Sequence, residues 1–261
     1  AFLFLTAAWI TRIPSRVFFV RGIRSTTMTG FQKKLVRLME KLTFYCAHKV
    51  LCTSNSVMNE AINTGLCAKD KISVLANGTG NGIDSYFFSP DNVDIYTKIE
   101  LKNQLRIPDG SKIVLFTGRL VLDKGVSDLY DAWVILSSKY SNLYLILVGE
   151  EDPHDKLPVN LMDNMKKNDR IRLVGYTKDT RKYYSIADVF SLPSYWEGIP
   201  ISVLEASSMK LPIVSTFATG CTDAVINRVT GTLVNIKSPQ ELADSIDNYL
   251  TDHDLCKKHG D

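Results

Sequence analysis

Ile113-Val114-Leu115-Phe116 runs into Thr117-Gly118-Arg119-Leu120-Val121-Leu122-Asp123-Lys124-Gly125, and a helical pattern then extends from Val126 to Ser138. A second apolar run follows, Leu143-Tyr144-Leu145-Ile146-Leu147-Val148. An apolar run this short that lacks polar alternation reads as a strand buried on both faces, and the helical stretch between two such strands reads as a crossover. The pattern repeats. Further strands are expected at Ile171 to Val174, Val189 to Leu192, Ile213 to Ser215 and Gly231 to Val234. Helices are expected around Leu157 to Lys166, Thr180 to Ile186, Pro200 to Met209 and Pro239 to Leu250. Strands alternating with helices imply an α/β fold with a parallel sheet covered on both sides. Ligands of such sheets bind beyond the C-terminal strand ends, so the segments just after strands carry the functional information.

The first part of the chain carries a weaker version of the same alternation. Val17 to Val20, Val50 to Cys52 and Ile72 to Leu75 read as strands, and Phe31 to Ala47 as an amphipathic helix with Leu35, Leu38, Leu42 and Tyr45 on one side. Ser54 is placed to cap a further helix. The turn-forming string Asn77-Gly78-Thr79-Gly80-Asn81-Gly82, with the stretch to Pro90, breaks the pattern and divides the chain into residues 1–90 and 91–261. The apolar Ala1 to Ile10 is too short to span a bilayer and lacks the basic start of a signal peptide, so it reads as a helix of a longer protein.

Composition limits the function classes. The chain has 261 residues, 45% of them apolar and 23% charged, as in a soluble globular protein. Its five cysteines are scattered without metal-site spacing, which points to a reducing compartment and no structural metal. The net charge of +3 hides an asymmetry: residues 1–78 hold eleven Lys and Arg against three Asp and Glu, leaving 20 basic and 25 acidic residues afterwards. A basic first part suits an anionic membrane surface or a phosphorylated substrate, or is simply a solvated face. No zinc-finger, RNP or Arg-rich signature is present, which argues against nucleic acid.

Two post-strand segments carry chemistry. Arg119 offers a planar fork of donors and Lys124 a compact charge, a pair suited to a diphosphate, and Gly118 and Gly125 allow close backbone approach. The second is Trp196-Glu197-Gly198-Ile199-Pro200-Ile201-Ser202-Val203-Leu204-Glu205-Ala206. Proline is tolerated at the first helical position, so Pro200 is expected to open a helix, with Glu197 in the loop before it and Glu205 in its second turn. The Ile201 and Ser202 amides would then be free to bind a phosphate, between two carboxylates able to bind hydroxyls. Acidic residues near a helix start also have a purely structural role, through the helix dipole.

Gly118-Arg119 with Lys124-Gly125, Gly175-Tyr176, Ala187-Asp188-Val189-Phe190 with Pro193-Ser194, the Glu-x7-Glu run from Glu197 to Glu205 through Gly198, Ile199 and Pro200, and Gly231 together resemble the family 4 (GT4) retaining glycosyltransferases, bacterial capsular and exopolysaccharide type. The first part is similar in Arg21-Gly22-Ile23-Arg24, Ser54-x-Ser56 and Asn81-Gly82-Ile83-Asp84. The resemblance implies a GT-B fold of two Rossmann-like lobes: residues 1–90 as a partial N-terminal acceptor-side lobe, and 91–261 as the nucleotide-sugar-binding lobe. It implies that Arg119 and Lys124 bind the donor diphosphate, Glu197 the donor sugar, Glu205 the ribose and the Ile201 and Ser202 amides the distal phosphate. The base would lie against Arg172 to Tyr176. Where many members carry a histidine in the first lobe, this chain has Arg21, a candidate contact to phosphate or sugar.

The expected activity is hexose transfer with retention, from a UDP- or GDP-sugar to a saccharide or lipid-linked saccharide acceptor, without metal or cofactor. It would take place in the cytoplasm, with peripheral contact to the inner membrane leaflet allowed by the basic first lobe. Relative to the family, both ends are expected to be missing. Other readings are a nucleotide-sugar-binding fragment without turnover, a sugar-nucleotide epimerase of the same architecture, and a dinucleotide oxidoreductase. The last would need Gly-x-Gly-x-x-Gly, whereas Gly78-x-Gly80-x-Gly82 has the wrong spacing. Asp252-His253-Asp254 reads as solvated surface rather than a metal motif.

Overall fold

The apolar runs of the second half pair into one sheet. In the computed structural model, which describes residues 1–79 and 81–260, the strands β4 (Lys112–Thr117), β5 (Leu143–Val148), β6 (Ile171–Gly175), β7 (Val189–Leu192), β8 (Ile213–Thr216) and β9 (Thr232–Val234) form a parallel sheet. Its order is β6-β5-β4-β7-β8-β9. The chain moves outward from β4 in one direction and then returns to start again on its other side at β7. The switch point therefore lies between β4 and β7, with all C-terminal strand ends on one edge. Gly80, part of the glycine-rich string, and Asp261 lie outside the described residues.

Burial explains why these strands lack alternation. Every residue of β7 and β8 is buried, as are Ile113 to Thr117 of β4. The helices α5 (Val126–Lys139), α6 (Val159–Lys167), α8 (Ile201–Ser208) and α10 (Pro239–Thr251), with the short α7 (Arg181–Tyr184) and α9 (Cys221–Ala224), fill the crossovers and the stretch after β9. Leu129, Ala132, Trp133 and Leu136 of α5 and Leu242, Ala243 and Ile246 of α10 join the strands in one core. Three α-helices among the described residues lie outside the sequence-based expectation: the short α9, α4 (Ile95–Gln104), capped by the Asp94 carboxylate on Thr97 N–H, and α11 (His253–Gly260). Within the segment carrying Asp252-His253-Asp254, the Asp252 carboxylate caps α11 by accepting from Leu255 N–H at 2.9 Å.

The first part forms its own three-stranded parallel sheet, in the order β1-β2-β3, from β1 (Val17–Val20), β2 (Lys49–Cys52) and β3 (Ile72–Val74). Its helices are α1 (Phe2–Ile10), α2 (Gly30–Cys46) and α3 (Asn55–Asn63), the last capped by the Ser54 hydroxyl on Val57 N–H. The core is small: Val20, Ile23, Phe44, Val50, Cys52, Val57 and Ile72 are among its buried members. In α2 the apolar side made by Leu35, Leu38, Leu42 and Tyr45 is exposed, and the helix is anchored instead by Thr43, Phe44 and Cys46.

Contacts divide the chain into residues 1–82 with 196–199, and residues 83–195 with 200–261. Chain order had placed Trp196 to Ile199 in the same unit as the helix that follows them. They pack instead with the first unit: the Trp196 indole fills the space that a Cβ on Gly22 would need, and Gly198 lies directly against the Arg21 carbonyl.

Close approach also shapes the functional edge of the large sheet. The register between β5 and β6 skips a residue, Leu147 facing Leu173 and Val148 facing Gly175. Gly149 follows, at φ +145°, and a Cβ there would sit 1.8 Å from the Gly118 carbonyl oxygen. Gly149→Ala is expected to lower the unfolding free energy of the second unit by roughly 2–4 kcal/mol, read as a lower urea midpoint.

A pH effect is expected at the other end of the same unit. His259 is buried, shares a 2.6 Å hydrogen bond between its Nδ1 and the Tyr249 hydroxyl, and is pushed below its ordinary value by burial and then by Lys258. A base that is harder to protonate when folded favours the unfolded chain as it takes up protons. Stability should therefore be full above the ordinary histidine value of 6.5 and fall as the pH drops toward the folded-state value. Thermal melts from about pH 7.5 to 5.5 should show this slope, and His259→Gln should flatten it.

Candidate functional site

Beyond the C-terminal ends of β4, β5 and β6 the second unit encloses a cavity of about 500 Å³. Its floor is Thr117, Gly118 and Arg119 after β4, and Val148 to Pro153 after β5. Tyr176 and Thr177 after β6, Thr180, and Ile201, Ser202 and Glu205 of α8 complete the lining. Of the residues singled out by sequence, the cavity gathers Gly118, Arg119, Tyr176, Ile201, Ser202 and Glu205. Lys124, Glu197, Gly198, Ile199 and Pro200 do not line it.

The helix start differs in one detail from the expectation. Pro200 is the cap of α8, with extended backbone at φ −77° and ψ 104°, and its carbonyl accepts from Val203 N–H at 3.1 Å. Ile201 and Ser202 therefore occupy the first two helical positions, whose amides have no partner within a helix. They border the cavity, so its wall combines a helix N-terminus with a cationic fork from Arg119, an arrangement suited to a phosphate.

Arg119 is engaged by a neighbouring carboxylate. Its Nη1 donates to Asp152 Oδ2 at 2.7 Å, and the pair is exposed enough for solvent to screen it. Asp152 is held below the ordinary carboxylate value first by the His154 N–H and then by Arg119. An anion entering the cavity would meet a guanidinium already positioned by a weak and replaceable partner. Asp152 carries no motif that marks it in the sequence; the loop after β5 brings it there.

Glu205 is half-buried, and its carboxyl is pushed up by burial, an effect countered by a hydrogen bond from Tyr184. The Tyr184 hydroxyl donates to Glu205 Oε2 at 2.8 Å and lies 2.6 Å from Thr117 Oγ1. Tyr184 is fully buried, wedged between Phe88 and Phe190, with ring centroids at 6.2 and 5.6 Å. Neither Tyr184 nor Thr117 stood out in the sequence, because an aromatic in a short helix and a threonine closing a strand are ordinary core residues.

The remaining candidates fall elsewhere. Lys124 ends a 3-10 turn, Leu122–Lys124, followed by Gly125 in the left-handed region. Glu197 is buried and grouped with the first unit, next in the chain to Gly198 with its close approach to Arg21, while the Arg21 residue itself is exposed. In the stretch expected to hold a base, Tyr176 is open to the cavity. Arg172 instead ties down the chain after α4, donating to the carbonyls of Leu105 and Arg106. Among the described residues no cluster of three or more His, Cys, Asp and Glu could hold a metal ion.

Comparison with known proteins gives this geometry a family. The model of the glycosyl transferases group 1 family matches residues 97–261. The capsular polysaccharide biosynthesis glycosyltransferase CapM of Staphylococcus aureus is 30% identical over 97% of this chain and 66% of its own length. An N,N'-diacetylbacillosaminyl-diphospho-undecaprenol alpha-1,3-N-acetylgalactosaminyltransferase of Campylobacter jejuni is 31% identical over 96% of this chain and 65% of its own. The chain thus spans about two thirds of the length of the curated relatives it matches. Among solved structures, Anabaena HepE in complex with UDP and glucose superposes with a TM-score of 0.82 at 21% identity, over 99% of this chain and 67% of that one. The lipopolysaccharide glycosyltransferase WaaG gives 0.77 at 16%, over 99% and 75%. The fold is accordingly the α/β, parallel-sheet fold of GT-B glycosyltransferases, and with its family model covering most of its length the chain belongs to the glycosyl transferases group 1 family.

Proposed function

We propose that the protein is a retaining hexosyltransferase, moving a sugar from a UDP- or GDP-sugar to a saccharide or lipid-linked saccharide acceptor in cell-surface polysaccharide synthesis. The observation that carries the reading is the cavity at the C-terminal strand ends, with Arg119, the Ile201 and Ser202 amides and the Glu205 carboxylate around one space. These are the groups a nucleoside diphosphate requires: a cation and amides for the phosphates, and a carboxylate for the ribose hydroxyls. The relatives add direction, since HepE was solved with UDP and glucose and the Campylobacter enzyme is named for a lipid-linked acceptor.

In this reading residues 1–90 contribute the acceptor-side lobe and 91–261 the donor lobe. Arg119 and Lys124 bind the diphosphate and stabilise the charge that grows on it as the sugar leaves. Gly118 and Tyr176 border the nucleotide. The loop of Glu197, Gly198, Ile199 and Pro200 serves the donor sugar, Glu197 through its hydroxyls, with Arg21 as a first-lobe contact. The acceptor hydroxyl attacks the anomeric carbon on the face from which the diphosphate departs. The C–O bond to phosphate breaks as the new glycosidic bond forms, and the acceptor proton passes to a phosphate oxygen. Positioning and charge stabilisation then supply the catalysis, without a metal ion.

Calorimetry on the full-length protein with UDP and GDP tests the donor site. Arg119→Ala is expected to weaken binding of the preferred nucleotide by about tenfold to a hundredfold, the loss of a charge-assisted hydrogen bond. Glu197→Gln should leave nucleotide affinity within about twofold while abolishing most sugar transfer. Failure of UDP, GDP and ADP to bind would remove the proposal.

The cytoplasmic location, with peripheral attachment to an anionic membrane, is part of the same proposal. No helix among the described residues is long and apolar enough to cross a membrane. On α2, however, Phe31, Leu35, Leu38, Leu42 and Tyr45 form an exposed apolar row flanked by the exposed Lys34 and Lys41. A basic amphipathic helix of this kind lies in the interface of anionic lipids. The protein should float with phosphatidylglycerol vesicles at low salt, and Leu38→Glu should reduce that flotation. Flotation indifferent to both salt and anionic lipid would contradict the attachment.

A further inference from the structure

Glu205 carries a single negative charge on a flexible side chain, and a ribose can be recognised only if that carboxylate is held in one place. The surrounding hydrogen bonds show what holds it. Tyr184, in α7, has one hydroxyl proton and three oxygen neighbours: Glu205 Oε2 at 2.8 Å, the Ser202 carbonyl at 3.2 Å and Thr117 Oγ1 at 2.6 Å. The carboxylate, charged and closer than the Ser202 carbonyl, takes the proton, and Thr117, whose hydroxyl can donate, is then the donor in its own bond to Tyr184. The phenol thereby joins the end of β4, from which the Gly118-Arg119 loop departs, to the first two turns of α8. Its ring cannot swing away, because it is fully buried between Phe88 and Phe190.

We propose that Tyr184 is a positioning residue for donor binding: it fixes the Glu205 carboxylate for the ribose hydroxyls and sets its distance from the diphosphate loop through Thr117. With one Oε2 lone pair used by Tyr184, the remaining acceptor sites of the carboxylate are left for ribose hydroxyls. The inference rests on the donor-site reading above and goes beyond it, since Tyr184 itself does not line the cavity. The same bond opposes the rise that burial imposes on the Glu205 carboxyl, which gives the role a pH signature that mere packing lacks.

Calorimetry on the full-length protein with UDP and with inorganic pyrophosphate separates ribose from phosphate recognition. Tyr184→Phe keeps the ring and removes the hydroxyl. It is expected to weaken UDP about tenfold while pyrophosphate stays within about twofold. The acid limb of UDP binding should move to higher pH in this variant, because Glu205 then protonates more readily. In a Glu205→Ala background the tyrosine substitution should have no further effect on UDP. Thr117→Val, which keeps the side-chain shape and removes only the hydroxyl, should show a smaller loss in the same direction. Equal losses for UDP and pyrophosphate, an unmoved pH limb, or an undiminished effect in the Glu205→Ala background would overturn the role of Tyr184 alone. A wild-type protein that bound none of UDP, GDP and ADP would overturn the donor reading first.

Discussion

Everything at the functional edge depends on parallel pairing. Six strands run the same way, so six strand ends and the loops leaving them meet on one side of the sheet. The loops after β4, β5 and β6 line one cavity although their residues are up to about 60 positions apart in the chain. Parallel strands require long crossovers, and the helices that provide them cover both faces. That is why Ile113 to Phe116 and Val189 to Leu192 can be apolar without interruption. The start of α8 is then presented to the same edge, where Ile201 and Ser202 border the cavity.

The site is electrostatically mixed. Arg119 and the N-terminus of α8 offer positive potential, while Glu150, Glu151, Asp152 and Glu205 are the acidic residues of the same cavity. Asp152 and Glu205 are held differently. Asp152 is a half-buried partner of the exposed Arg119, stabilised as an anion by a backbone amide, and its ion pair is easily exchanged. Glu205 is half-buried and fastened to a fully buried phenol. One contact is suited to replacement by an incoming phosphate, and the other to recognising hydroxyls without moving.

The two units differ in how completely they bury their apolar surface. The larger has a continuous core from Val93 to Leu250. The smaller has a three-stranded sheet, a short list of buried residues and exposed apolar side chains along α1 and α2, including Phe4, Ile10, Phe31 and Leu35. Exposed apolar rows of this length mark interaction surfaces. Basic residues are concentrated in the same unit, which fits contact with an anionic partner better than with a neutral one.

Much of the fold was legible in the residues themselves. Runs such as Leu143 to Val148 are legible as strands because they are apolar without polar alternation and too short for a buried helix, and Gly118-Arg119 and the Glu197 to Glu205 run follow strands by their position in the chain. Local chemistry determined these features, so local sequence reveals them. The tertiary structure decided the rest. It separated Trp196 to Ile199 from the helix they precede by packing them on Arg21 and Gly22, turned the apolar side of α2 outward, and brought Asp152 to Arg119 and Tyr184 to Glu205. Each of these depends on which distant surfaces meet, and a tyrosine or a leucine carries no local mark of the partner that burial will assign to it.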